Sequence, residues 1–253
     1  MGTPERIVIV GATSAIAEQC ARLWVEGAGA PGVDLVLVGR DAGRLERVAA
    51  DLRVRSPASR VQVCAADLVD PQAITQAVGR IVAEGCPQQV LIAQGWLPEQ
   101  AQCERDLELL AAALRVNAVS PVLWAQAFSG PMQQAGRGCI ALIGSVAGDR
   151  GRRSNYVYGS AKALVDAFAQ GLRHRLFASG VTVVLVKPGP TATPMTAHLA
   201  AAGRRLADPR AVARRIVQGM RRGTPVVYAP AQWRLIMAVI RRLPGFIFHR
   251  LDL

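Results

Sequence analysis

Tyr158 and Lys162 in "SNYVYGSAK" stand four residues apart, so on a helix both side chains share one face. A phenol titrating at about 10 is a poor acid–base group at neutral pH. A nearby ammonium favours the phenolate and lowers that value, which makes the tyrosine useful for proton transfer. Tyr156 competes for the role, but the residue four positions on from it is Ser160, which carries no charge. Ser145 ends the apolar run "CIALIGS" ahead of this segment. Its hydroxyl could hold a carbonyl oxygen beside the phenol, or serve only as a turn residue.

These side chains need a scaffold, and the chain alternates apolar runs with helical patterns throughout its length. "RIVIV" leads through a glycine turn into "SAIAEQCARLWVEG"; "VDLVLVG", "RVQVCAA" and "QQVLIAQG" each precede a helix, the last one long and running through Asn117. "GCIALIGS" comes before a helix expected over 154–178, "GVTVVLVKPG" before helical segments over 196–221, and "PVVYA" before the tail. Such alternation predicts an α/β chain with a doubly wound parallel sheet of six to seven strands, joined by right-handed crossovers. We expect a single domain in which 1–229 carry the sheet and 230–253 form an amphipathic tail of the same unit.

The first strand-to-helix turn, Gly11, Ala12, Thr13, Ser14, Ala15, Ile16, Ala17, is rich in small residues. Its backbone N–H groups and the following helix N-terminus could approach a pyrophosphate, although an ordinary tight turn reads similarly. Where an acidic partner for a ribose 2′-hydroxyl would stand after the second strand, the chain has Gly39-Arg40. An arginine there pairs with a 2′-phosphate, which favours NADPH and leaves NADH open; a solvated arginine is the plain alternative. Asp67 and Leu68 follow the third strand. Asp67 could accept from an adenine amino group or cap the next helix.

Composition narrows the class. Apolar residues make up 51% of 253, which excludes a disordered or disulfide-scaffold chain. Five scattered cysteines, odd in number and without a Cys-x-x-Cys pair, predict reduced thiols in the cytoplasm and no structural metal. The start "MGTPERIVIVGATS" leaves no room for an export signal, and no uninterrupted apolar window reaches the ~20 residues of a spanning helix. The net charge of +12 raises a nucleic-acid reading. Eleven arginines against two acids from Ala201 onward, however, concentrate nine of those charges in the last fifth. No interleaved aromatics outside the tail would stack bases, so nucleic acid is not an expected partner.

Gly11 to Ala17, Asn117, Ser145, Tyr158-x-x-x-Lys162 and Pro188 to Thr193 together resemble the short-chain dehydrogenase/reductase family, over essentially the whole chain. The resemblance implies a Rossmann-type fold and a homo-oligomer. It makes Tyr158 the acid–base, Lys162 the group that lowers its pKa and binds the nicotinamide ribose, and Ser145 the polariser of the carbonyl. It further implies that Asn117 supports a relay water, that Gly95 approaches the adenine ribose, and that Pro188, Gly189, Thr191 and Thr193 hold the carboxamide. The chain departs from the family pattern at Ala15 and Ala17, where glycines are usual, and at "IAQG", where Asn-Asn-Ala-Gly is usual.

A narrower resemblance covers about 145–253: "GSVAGDRGRRSNYVYGSAK", "KPGPTATPMTAHL" and the tail are similar to the polyprenylphosphoryl-2-ketoribose reductases. It implies a lipid-linked keto sugar as substrate, reduced to the arabinose epimer for cell-wall arabinan after a flavin oxidase partner has acted. A small soluble ketone, acyl or steroid-like substrate is the alternative. Arg150, Arg152 and Arg153 lie between Ser145 and Tyr158, where they could meet a lipid phosphate or remain solvated. In "WRLIMAVIRRLPGFIFHRLDL", Trp233, Leu235, Ile236, Met237, Val239, Ile240 and Leu243 share an arc of roughly 200°. Arg234, Arg241 and Arg242 lie opposite them. Such a helix suits the surface of an anionic membrane, here the inner face, or packs on its own core or on a second subunit.

Overall fold

The computed structural model describes residues 3–29 and 31–251, so 252 and 253 of the predicted tail lie outside the described residues. Seven parallel strands form one sheet in the order β3-β2-β1-β4-β5-β6-β7. They are β1 (Glu5–Val10), β2 (Val33–Gly39), β3 (Arg60–Ala65), β4 (Gln89–Ile92), β5 (Gly138–Ile143), β6 (Val181–Pro188) and β7 (Val226–Ala229). The order reverses between β1 and β4, and at such a switch point the crevice beyond the strand ends takes ligands.

β2 is buried at every position and β1 at all but its first, as strands covered on both faces must be. One layer over the sheet is α1 (Ala15–Glu26), α2 (Ala42–Arg55) and the later α9 (Pro209–Arg221). They share a core with Ile7, Ile9, Leu35 and Leu37. The other layer is α3 (Pro71–Ala83), α6 (Ser120–Ala135) and α7 (Tyr156–Leu176), packed through Trp124, Phe128 and Val165 on Val8, Val10 and Ile140. Short helices α4 (Gln100–Cys103), α5 (Leu107–Leu114) and α8 (Ala197–Ala201) fill connections, and α10 (Trp233–Arg242) with α11 (Gly245–Phe248) form the tail.

Two predicted helices differ in detail. The helix through Asn117 is continuous from Leu107 to Ala135 but widens by one residue over Arg115–Val119, a bulge typical of functional sites. By length and composition alone this run could cross a membrane. Here it is a core element, with Trp124, Phe128 and Met132 fully buried. The 196–221 segment splits because Asp208 caps α9 afresh, its carboxylate accepting from Ala211 N–H at 2.8 Å with Pro209 behind it.

Candidate active site

Ser145 follows β5 and caps a single 3₁₀ turn, Val146–Asp149, accepting from Ala147 N–H at 3.0 Å. That turn lies against the first turns of α7 with backbone touching backbone. A Cβ at Gly148 would come within 2.8 Å of the Lys162 carbonyl carbon, and one at Gly159 within 2.9 Å of the Ala147 oxygen. Two glycines therefore let the turn and the helix close up, and the closeness brings Ser145 into a hydrogen bond with the Tyr158 phenol. Tyr156 sits 42% exposed on another face of α7 and bonds to Glu104 and Gln100.

Lys162 is 2% exposed and its Nζ donates to the Ile143 carbonyl at 2.9 Å. Burial pushes the ammonium down to about 8. Burial pushes the Tyr158 phenol up to about 12, opposed only in part by the Ser145 bond. The phenol thus lies above its ordinary value in this structure, where the sequence reading expected Lys162 to bring it below. Nζ stands 5.6 Å from the ring centroid, and loss of solvent sets the direction of the shift. A phenol so held is a proton donor at neutral pH.

Asn117 is fully buried in the helix bulge. Its amide donates to Trp96 O at 2.7 Å and Ala113 O at 3.0 Å, while Oδ1 accepts from Trp96 N–H at 2.8 Å. The side chain is a clamp that fixes the segment after β4. Gly95 lies between this clamp and Lys162: a Cβ there would be 3.2 Å from Asn117 Oδ1 and 3.7 Å from Lys162 Nζ. Gly95 therefore adjoins the catalytic side of the crevice.

On the cofactor side, Gly11 takes φ 75°, and a Cβ would strike Gln94 N at 2.5 Å. Thr13 and Ser14 complete the turn into α1. Asp41, Asp70, Asp106 and Asp208 all accept backbone N–H bonds at their helix starts, whereas Ser14 at the start of α1 makes no side-chain cap. The first N–H groups of α1, from Ala15 and Ile16 onward, are left for an anion. Ala17 is fully buried within the core, so its methyl does not occupy the crevice. Gln94, its Oε1 buried without a partner, donates to Ser120 Oγ at 3.0 Å. Together the uncapped helix and this orphaned oxygen fit a dinucleotide.

Arg40 is exposed at the end of β2. Arg44 and Arg47, on the next turns of α2, line a cavity of about 230 Å³ with Thr13. Sequence reasoning passed over both, although their spacing after Arg40 was a readable signal. Asp67 accepts from Val69 N–H at 2.8 Å and so closes a turn; the helix cap is Asp70. Leu68 is buried, and its carbonyl accepts from Trp124 Nε1 at 3.1 Å.

The loop after β6 is built against the tail. A Cβ on Gly189 would lie 1.9 Å from Trp233 Nε1, so the indole of α10 rests directly on the loop backbone. Pro188 ends β6; Thr191 is 3% exposed and donates to Gly189 O at 2.9 Å. Thr193 N–H donates to Thr196 Oγ1 at 3.2 Å. The arginine loop turns the same way. Arg150 donates to Leu243 O at 2.8 Å and to Ile240 O, and lies 3.8 Å over the Phe248 ring. Arg152 donates to Met237 Sδ at 3.4 Å. Arg150 and Arg152, which the sequence reading offered to a lipid phosphate or to solvent, are thus both engaged by the tail, Arg150 supplying donors to the C-terminal carbonyls of α10. Arg153 is exposed on the same loop.

A crevice at the sheet's switch point, lined by an uncapped helix and a serine–tyrosine–lysine cluster, defines the protein as a dinucleotide-dependent oxidoreductase. A family model for short chain dehydrogenases matches residues 5–203, and the chain belongs to that family. An uncharacterized oxidoreductase of Streptomyces coelicolor is 35% identical over 252 residues, 99% of this chain and 97% of the relative. Another, from Mycobacterium tuberculosis, is 35% identical over 249 residues, 97% of this chain and 96% of the relative. A solved short-chain dehydrogenase from Sphingobium yanoikuyae, in complex with NADPH, superposes with a TM-score of 0.79. It is 25% identical, with 95% of this chain and 97% of that one covered.

Proposed function

We propose that the protein uses NADPH, with NADH second, to reduce the keto group of a polyprenyl-phosphate-linked sugar at the membrane surface, as the resemblance implies. When bound, the reduced nicotinamide supplies the hydride. Ser145 holds the substrate oxygen, Tyr158 delivers its proton to that oxygen, and Lys162 holds the coenzyme ribose. Asn117 positions the Trp96 segment that closes one side of the crevice. Arg40, with Arg44 and Arg47 behind it, receives the 2′-phosphate that selects NADPH.

The observation that carries the membrane reading is the split face of α10. Trp233, Met237 and Ile240 turn toward the protein, while Leu235 (73% exposed), Val239 (55%) and Phe246 (69%) remain outside beside arginines. Such a surface, joined to the catalytic loop through Arg150, suits presentation of the crevice to an interface. A soluble reductase of a small ketone is the second reading, favoured by the engagement of Arg150 and Arg152 with the tail.

The test is to generate the polyprenylphosphoryl-2-keto pentose with a flavin oxidase and analyse the product. The arabinose epimer forms, faster with NADPH than with NADH. No epimer with either coenzyme, alongside ready reduction of a simple ketone, selects the soluble reading.

A further inference from the structure

The cavity of about 230 Å³ between α1 and α2 is walled by Thr13 of the glycine turn, by Glu18 and Arg22 on α1, and by Arg44, Arg47 and Asp51 on α2. Its charges are unevenly matched. Arg22 gives its Nε to Asp51 at 2.9 Å, and Arg55 bonds the same carboxylate. The other acids of the two helices are engaged as well: Glu26 by Arg210, Asp41 by the Arg44 backbone N–H and Glu46 by Arg53. Among the described residues, Glu18 alone of these five acids has no hydrogen bond or ion pair. Burial, helped by the Asp51 charge, raises its carboxyl above the ordinary value despite the opposing charges of Arg22 and Arg44. An acid in the first turn of a helix is ordinary, since it complements the dipole. This one, however, shares its space with the place of the 2′-phosphate. Arg44 and Arg47 stand behind Arg40 in that role, and Thr13 joins the cavity to the turn that takes the pyrophosphate. The cavity is smaller than the ~300–1,000 Å³ of a whole-ligand pocket, so it suits one phosphate group, set close to the Glu18 carboxylate.

We propose that Glu18 sets the coenzyme preference by opposing the 2′-phosphate of NADPH. A phosphate drawn to Arg44 and Arg47 meets the carboxylate across the cavity. This like charge, half-buried and without a bonded partner, subtracts from what the arginines contribute. NADH lacks that phosphate and does not meet it. Glu18 is thus a specificity-determining residue that holds the preference for NADPH down and keeps NADH usable. The inference rests on the placement of the 2′-phosphate at Arg40, Arg44 and Arg47, and adds the residue that limits it.

The test is equilibrium titration of the full chain with NADPH and with NADH, followed by coenzyme fluorescence at fixed pH and ionic strength. Glu18→Gln binds NADPH roughly tenfold more tightly and NADH within about twofold of the unaltered chain, the order expected for one like charge removed from a half-buried site. Glu46→Gln removes an equal charge from α2 outside the cavity and shifts neither coenzyme. R44Q/R47Q weakens NADPH binding by roughly tenfold or more and leaves NADH as it was, which also shows that the variant is folded. Equal gains for both coenzymes in Glu18→Gln would set the acid against the pyrophosphate and overturn its role in preference. An equal gain in Glu46→Gln would mean a diffuse field and overturn the assignment to Glu18. Weaker NADPH binding in Glu18→Gln would mean that the carboxylate positions Arg44, which also overturns the opposition. No change in Glu18→Gln while R44Q/R47Q loses NADPH overturns the inference and leaves the 2′-phosphate where it was placed. NADPH affinity untouched by R44Q/R47Q removes both.

Discussion

The chain has two lysines, and the structure buries both in opposite ways. Lys162, on α7, has only the Ile143 carbonyl as a hydrogen-bonding partner among the described residues, and burial draws its ammonium down to about 8. Lys187, on β6, is 5% exposed and lies between Asp149 and Asp166, with Tyr228 also bonded to Asp149. Burial draws it down as well, but the hydrogen bonds to the two carboxylates outweigh burial and hold it above its ordinary value. Asp166 follows Lys162 by one helical turn on α7. One element thus carries the unpaired cation and an anchor of the paired one. An unpaired buried cation costs stability and belongs where chemistry needs it; a paired one ties β6, α7 and the Ser145 turn together.

That contrast is tested most strongly by activity. Lys162→Met lowers kcat for ketone reduction by roughly 10²–10⁴, and Tyr158→Phe does the same. Coenzyme affinity, followed by fluorescence titration, falls for the first and is unchanged for the second. Denaturant unfolding of Lys162→Met stays within about 1 kcal/mol of the parent, because relief from burying the charge offsets the orphaned Ile143 carbonyl. A large destabilisation would mean that Lys162 is structural too.

Lys187→Met has the reverse signature. It leaves Asp149 and Asp166 facing each other without a cation, so unfolding free energy drops by about 3–5 kcal/mol. Coenzyme affinity measured well below the melting transition is retained. Loss of coenzyme binding without loss of stability would erase the distinction between the two lysines.

The sequence made much of this legible, and unevenly. Strand and helix order follow from apolar runs and glycine turns, and the i, i+4 spacing placed Tyr158 and Lys162 on one face. What it withheld were contacts between distant segments. Nothing near Arg150 reveals that the carbonyls of Ile240 and Leu243, ninety residues on, will claim it. Nothing near Gly189 announces Trp233. The direction of the Tyr158 shift was misread for the same reason: burial is a property of the assembled crevice, while spacing supplies only the neighbour. The pairing of Lys187 is hidden in the same way, since its two aspartates come from separate elements.

The two lysines also part company in pH. Lys162 is charged below about 8, so kcat for reduction is level near neutrality and falls about tenfold per unit above about pH 8 as the ammonium is lost. Tyr158, held near 12, adds no break in that range. Lys187, held above its ordinary value, keeps its charge throughout. A profile level through about pH 9 would show that the Lys162 ammonium is dispensable for turnover.

The smallest effect bears on the paired lysine alone. Asp166 is 19% exposed at its side chain and Asp149 is fully buried, so Asp166 is the member whose charge can be removed without stranding Tyr228. In the Lys187→Met background, Asp166→Asn removes one of the two facing carboxylates and restores part of the lost stability. The cycle over Lys187→Met, Asp166→Asn and their combination then gives a coupling of about 1–3 kcal/mol in equilibrium unfolding. A coupling near zero would mean that Asp149 alone holds Lys187. The link from β6 to the catalytic helix would be lost, and Lys187 would support only the turn beneath Ser145.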